Sequence, residues 1–227
     1  MTAICVIFDL DGTLVDSEGL CNQAFLDLLP QLNDTVESLI QRYRGKKLAT
    51  ILADLEGRLC QNLPDAFEQH YRQRVEELFS RELKPIPGVL EMLEATNFHK
   101  CIASSGPPLK IRQALQVSGL APYFGDNIFS SYEVGSWKPE PGLFQYAANA
   151  MAFMPSQCVV VEDSEVGIQA ATAAGMKAFR YVRNGEISSC RDGEPFNDMS
   201  QLPKLLANFS SNAQPCIRAG SFTCFPP

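Results

Sequence analysis

The sequence is short of the side chains on which many hydrolase and metal sites depend. It holds only two histidines, His70 and His99, and neither stands near a cysteine pair. None of its eight cysteines forms a C-x-x-C pair, so a zinc site of the usual spacing is not expected. No G-x-S-x-G occurs, which leaves a Ser-His-Asp hydrolase as the weaker enzyme reading. Dinucleotide and P-loop fingerprints are missing, as are internal repeats and any apolar run of membrane-spanning length. Positive charge is also scarce: 19 Lys and Arg face 26 Asp and Glu, for a formal charge of −7. Such a chain is a poor general binder of nucleic acid or anionic membrane, yet a local basic patch could still hold a small anion. The opening MTAICVIFDLDG lacks a basic start. The expectation is therefore no secretory leader, a cytoplasmic compartment and reduced thiols, with Cys5, Cys101 and Cys158 acting as small hydrophobes within apolar runs.

What is present is enough for a folded chain. At 227 residues, 45% hydrophobic and 20% charged, it can bury a core without staples and fits one large domain, or one domain with an inserted partner. Short apolar runs at Ile4–Phe8, Lys100–Ser104, Asn127–Ser130, Cys158–Glu162 and Lys177–Val182 read as strands covered on both faces, as in a parallel sheet. Helical spacing separates the later runs, so the expected fold is α/β, a Rossmann-like parallel sheet sandwich. Between Asp16 and Pro85 the pattern is wholly helical. Leu20, Ala24 and Leu28 share a face, Asp34 with Glu37 fits a helix start, and Leu48, Leu52, Leu55 and Leu59 form a stripe. Phe67, Tyr71, Val75, Leu78 and Phe79 form another. The expected organisation is a core of residues 1–15 and 86–207, an inserted helical segment 16–85 left through Lys84-Pro85-Ile86-Pro87-Gly88, and a loosely packed tail 208–227.

Chemistry concentrates at strand ends. Asp9-Leu10-Asp11-Gly12-Thr13 follows the first strand, where an open α/β sheet turns its loops into the ligand crevice. Two converging acids repel each other and call for a cation, and oxygen ligands suit Mg²⁺; the same letters also fit an Asx turn. The fourth strand ends in Glu162-Asp163-Ser164, a second acidic pair that could meet the first at one metal, or supply a helix N-cap. Ser104, with Ser105 and Gly106, ends the second strand and could hold phosphate oxygens, though Ser-Gly often merely ends a strand. Lys138 precedes a proline-started helix, where it could neutralise a phosphate or stand solvated. The run Arg42-Tyr43-Arg44-Gly45-Lys46-Lys47 is the densest basic patch, a candidate contact for a second anionic group or a solvated helix end.

Taken in order, DxDGT, Ser104, Lys138 and Glu162-Asp163 resemble the haloacid dehalogenase superfamily of phosphohydrolases across about residues 3–183. The helical insertion looks like that family's cap of the phosphoglycolate phosphatase and β-phosphoglucomutase type. FDLDGTLVDSE, RGKK, IFSSYEVGSWKPEP and VVVEDSEVG look closest to bacterial sugar-phosphate phosphatases, above all the 6-phosphogluconate phosphatase kind. The resemblance implies a Mg²⁺-dependent phosphatase of a small phosphomonoester. Asp9 would be the nucleophile that forms an aspartyl-phosphate, and Asp11 the general acid and then base. The metal would be held by Asp9, the Asp11 carbonyl and Asp163, with Glu162 nearby or acting through water. Ser104, Ser105, Gly106 and Lys138 would bind the phosphoryl group, and a specificity loop around Gly45 would bring Arg44 or Lys47 to the substrate. Cys21 stands where β-phosphoglucomutases usually carry His, and Thr13 where they tend to have Val or Ile, which favours phosphatase over mutase; Asp11 argues against dehalogenation. A phosphomutase and a receiver-like or metabolite-binding module remain the alternatives, and a monomer is the expected state.

Overall fold

The computed structural model of the protein describes residues 3–183 and 193–212. Its centre is a six-stranded parallel sheet of β1 (Cys5–Phe8), β2 (His99–Ser104), β3 (Ile128–Ser130), β4 (Cys158–Glu162), β5 (Lys177–Tyr181) and β6 (Glu194–Phe196), in the order β3-β2-β1-β4-β5-β6. The first five match the expected apolar runs to within a residue at each end. Strand β1 lies between β2 and β4, with Phe8 level with Ile102 on one side and Val161 on the other. Strand order therefore reverses at β1, and the C-terminal ends of β1, β2 and β4 form the crevice that open α/β sheets use for ligands.

The strand residues are apolar in both directions because both faces are covered. Cys5 and Ile7 point to one face, where they pack with Leu143, Phe144 and Ala147 of the helix Gly142–Ala150 and Ile168 and Ala171 of the helix Glu165–Ala173. Val6 and Phe8 point to the other, towards Ile111 and Leu115 of the helix Pro108–Val117. The helices behind these contacts are α1 (Glu18–Leu28), α2 (Val36–Tyr43), α3 (Leu48–Leu59), α4 (Phe67–Glu82), α5 (Val89–Glu94), α6 (Pro108–Val117), α7 (Ala121–Phe124), α8 (Ser131–Val134), α9 (Gly142–Ala150), α10 (Glu165–Ala173) and α11 (Leu202–Asn212). Cys5, Cys21, Cys60, Cys101 and Cys158 are free thiols. Among the described residues no helix is long and apolar enough to cross a membrane.

Helices α1 to α4 fill the excursion after β1. The chain leaves and returns through a narrow neck, where Asp16 N–H donates to the Lys84 carbonyl and Ile86 N–H to the Leu14 carbonyl. The stripe Phe67, Tyr71, Val75, Leu78 and Phe79 is buried as its spacing predicts, and Phe25 of α1 stacks on Tyr71 at 4.2 Å between ring centroids. The apolar side chains of this segment run without a break into the α6 side of the sheet core.

Three local expectations need correction. Helix α2 is capped by Thr35, not Asp34: Ser38 N–H donates to Thr35 Oγ1 and Thr35 N–H donates back to Ser38 Oγ. The pattern expected to fade at Asn208 continues, since α11 runs to Asn212 and Ser210 is buried; residues 213–227 lie outside the described ones. Strand β6 was not foreseen, because three residues that include a proline carry almost no strand signal, and such a strand is tolerated only at an edge.

Candidate active site

The three central strand ends deliver carboxylates and a hydroxyl to one place. Asp9 N–H extends the sheet by donating to the Val161 carbonyl at 2.9 Å, which sets Asp9 beside the end of β4. Asp9, Ser104, Glu162 and Asp163 are all buried. Lys138, from the loop between α8 and α9, reaches into this group with a side chain only 4% exposed. Its Nζ donates to Asp9 Oδ1 at 2.5 Å and to Glu162 Oε1 at 2.6 Å. Burial would strip the ammonium of its proton, but the two carboxylates outweigh that and hold it charged.

Each remaining acid has a distinct setting. Glu162 Oε2 accepts from Ser164 N–H at 2.6 Å and from Ser164 Oγ at 2.8 Å. Ser164 is itself the N-cap of α10, accepting from Gly167 N–H, so the cap function falls on Ser164. Asp163 Oδ1 accepts from Thr13 Oγ1 at 3.2 Å. Gly12 makes this close approach possible: at φ +83° it takes a left-handed turn, and a Cβ there would sit 2.5 Å from Asp163 Oδ2. Asp11 points elsewhere. Its Oδ1 accepts from Ser17 Oγ at 2.6 Å and from Lys110 Nζ at 2.7 Å.

These partners split the acids electrostatically. Burial pushes Asp9 up to about 7; Lys138 pulls against that rise, while Glu162 and Asp11 add to it. Burial also raises Asp163, helped by the negative charges of Glu162, Glu18 and Asp9. For Asp11 burial acts upward too, but the charge and hydrogen bond of Lys110, with the bond from Ser17, hold it below the ordinary carboxylate range. Even with Lys138 on Asp9, the net push on both Asp9 and Asp163 is upward, so their negative charge is under-compensated, an environment a divalent cation suits.

The resemblance gives the metal to the Asp9 side chain, the Asp11 carbonyl and Asp163, with Glu162 nearby or acting through water, and the side-chain partners bear on the last of these. The Asp11 carboxylate is taken by Lys110 and Ser17, and Glu162 by Lys138 and Ser164. Among the described residues no group of three or more His, Cys, Asp or Glu side chains is placed to hold a metal ion. The side chains of Asp9 and Asp163 with the Asp11 carbonyl remain the donor set the resemblance implies, and oxygen donors of that kind are chemically suited to Mg²⁺.

Above the strand ends lies a cavity of about 980 Å³, with α1 to α4 as its roof. Ser104, Ser105, Gly106 and Lys138 line its floor, and Ser104 Oγ accepts from Gly106 N–H at 3.0 Å, which curls that loop. Arg44, Gly45 and Lys47 line the roof, but not as three equal contacts. Arg44 is committed to Glu18 by a bidentate pair at 2.8 and 2.9 Å. Gly45, at φ +73°, brings the loop against α10, where a Cβ would come within 2.9 Å of Val166. Lys47 carries its ammonium 4.9 Å over the Trp137 ring.

Sequence reasoning missed Lys110, Ser17 and Trp137. The signal for Lys110 was available: it lies in the first turn of a helix begun by Pro107-Pro108, directly after a strand end, and such turns face the crevice.

Comparisons with known proteins show what the chain as a whole is similar to. The haloacid dehalogenase-like hydrolase family matches residues 5–175. The 6-phosphogluconate phosphatase of Escherichia coli is 34% identical over 206 residues, covering 88% of this chain and 93% of that protein. A fructose-1-phosphate phosphatase of the same organism is 30% identical over 177 residues, 76% of this chain and 93% of that one. Among solved structures, a haloacid dehalogenase-like protein from Agrobacterium tumefaciens superposes with a TM-score of 0.79 at 29% identity, covering 92% of this chain and 99% of that one.

Proposed function

We propose, for a chain that belongs to the haloacid dehalogenase-like hydrolases, that the cavity takes a phosphorylated sugar acid such as 6-phosphogluconate and that Asp9 removes its phosphate through an aspartyl-phosphate. The chain is a phosphoric monoester hydrolase, and the named relatives are phosphatases of sugar phosphates; the sugar acid and the residue roles are our reading. One observation carries it. A buried carboxylate at the end of the central strand is bound to a buried ammonium at 2.5 Å, beneath a cavity of about 980 Å³.

The roles follow from the contacts. Asp9 presents Oδ2 to phosphorus while Lys138 holds Oδ1 in place. Lys138 also offsets the charge that grows on the phosphoryl oxygens, which a carboxylate could not otherwise approach. Ser104 and the Ser105-Gly106 loop grip those oxygens. Asp11, which must first take up a proton against the pull of Lys110, gives that proton to the leaving sugar oxygen and then takes one from the water that attacks the aspartyl-phosphate. The side chains of Asp9 and Asp163 and the carbonyl of Asp11 would hold Mg²⁺, which when bound supplies positive charge between nucleophile and phosphate. The segment α1 to α4 acts as a cap that excludes water from this step. On its underside Lys47 is the cation we assign to the substrate's carboxylate; Arg44 braces the loop through Glu18.

The test is phosphate release in Mg²⁺ from a panel of sugar, sugar-acid, polyol and nucleotide monophosphates. Preference for a sugar-acid phosphate, with free phosphate as product, is expected. An isomerised sugar phosphate as product would replace hydrolysis with mutase chemistry.

A further inference from the structure

Two lysines divide the carboxylates at the end of β1. Lys138 takes Asp9 and Glu162. Lys110 takes only Asp11, at 2.7 Å. Lys110 belongs to α6 in the sheet core, and its ammonium lies 5.6 Å from the centre of the Phe79 ring of α4. Its side chain is 22% exposed, so the ion pair stands partly dry against an aromatic wall. Both donors to Asp11, Lys110 Nζ and Ser17 Oγ, use the same oxygen, Oδ1.

We propose that Lys110 is the positioning residue that fixes the Asp11 carboxylate with Oδ2 directed at the water that attacks the aspartyl-phosphate. This rests on the reading of Asp9 and Asp11 given above. The Asp11 carboxylate also feels the charge of Lys138, so without a tie of its own it would be drawn towards that ammonium and away from the water. With Oδ1 tied down by an ammonium and a hydroxyl, one oxygen is spent on orientation and the other remains for the proton. In the step itself a water oxygen bonds to phosphorus and the bond from phosphorus to the Asp9 oxygen breaks, returning Asp9 as a carboxylate. The water's proton passes to Asp11 Oδ2. Lys110 touches none of the reacting atoms. A lysine that merely packs on Phe79 would give no reason for its 2.7 Å bond to Asp11.

The experiment uses the full chain with Mg²⁺ and p-nitrophenyl phosphate, whose leaving group needs no proton, and compares wild type with Lys110→Met and Lys110→Arg by rapid quench. In Lys110→Met the first turnover, read as nitrophenolate, is expected within about threefold of wild type, because Asp9 is untouched. Later turnovers should slow by about tenfold to a hundredfold, the scale set by a misplaced catalytic group. Enzyme-bound phosphate should then accumulate and appear as a burst, and Lys110→Arg should shrink that burst by restoring the charged donor. Lys110→Gln, a neutral donor, gives the same reading should the methionine variant not fold. Equal slowing of first and later turnovers, or a wild-type steady rate in Lys110→Met, overturns the role of Lys110 alone. A wild-type enzyme that never carries covalent phosphate removes the reading of Asp9, and this proposal with it.

Discussion

The floor and the roof of the cavity are assembled by different means. On the floor, charged partners come from strand ends and a loop far apart in the chain; Lys138 and Asp9 are separated by 129 positions. Their side chains are buried, and each bond depends on the parallel order β2-β1-β4. On the roof, the contacts lie at the edge of the cavity. Arg44 pairs with Glu18 across the gap between α2 and α1, and Lys46 and Lys47 lie over the rings of Tyr43 and Trp137. A floor group cannot move without breaking a buried ion pair, whereas a roof cation can leave an aromatic ring at small cost, since an exposed cation–π contact is worth about 0.5–1 kcal/mol. Under the function proposed above, reaction chemistry falls to the rigid part and substrate choice to the adaptable part.

The largest expected break in that contrast is Asp9→Asn. Turnover should fall below detection, at least about 10⁴-fold, with the melting temperature preserved or raised, because a buried carboxylate becomes a neutral amide. Residual turnover within a factor of ten of wild type, measured by phosphate release, would remove covalent catalysis from this site. Lys138→Met comes next. It leaves Asp9 and Glu162 buried without their shared cation, so about 3 kcal/mol of stability should go with it, together with a loss of about 10²–10³ in kcat. Urea denaturation and steady-state kinetics check the two effects separately. Asp163→Asn has a readout free of turnover: Mg²⁺ at about ten times its dissociation constant should stabilise the wild type by about 1.4 kcal/mol. In a chain of this size that raises the melting temperature by a few degrees, and the variant should lose the rise. An unchanged rise would take Asp163 out of the metal set.

The same contrast explains what could be read before any coordinates. Strands β1 to β5 were legible because both faces of the sheet are covered, which writes near-continuous apolar residues into β1 and β4 above all. The floor acids were legible because DxDGT and Glu162-Asp163 stand directly behind those runs. Their division of labour was not, because spacing shows that Asp11 and Glu162 reach the crevice but not which cation each meets. Lys110 escaped for the same reason: a lysine in a first helical turn reads as solvated until the acid 99 positions away is placed beside it. Arg44 looked free because its partner Glu18 lies 26 positions back on another helix. Thr35 displaced Asp34 as the cap of α2 by one residue, within the uncertainty of any helix boundary read from letters.

The smallest expected effect sharpens the roof half of the comparison. Arg44 and Lys47 are near neighbours in one loop, yet the structure commits Arg44 to Glu18 and leaves Lys47 over Trp137. If substrate choice rests on the cation that can be released, Lys47→Ala should raise KM for a sugar-acid phosphate by about tenfold, the worth of one partly screened charge contact. KM for the corresponding neutral sugar phosphate should change by less than about twofold. Arg44→Ala should act differently: it frees the Glu18 carboxylate and loosens the turn at Gly45, so both substrates should suffer to the same modest degree. Trp137 is the only tryptophan in the chain, which gives Lys47 an independent reporter. Emission should shift on Lys47→Ala, and in the wild type on binding a non-hydrolysed sugar-acid analogue, as the ammonium leaves the ring. A substrate profile in which Arg44→Ala discriminates by charge and Lys47→Ala does not would reverse the two assignments and place recognition on the braced side of the loop.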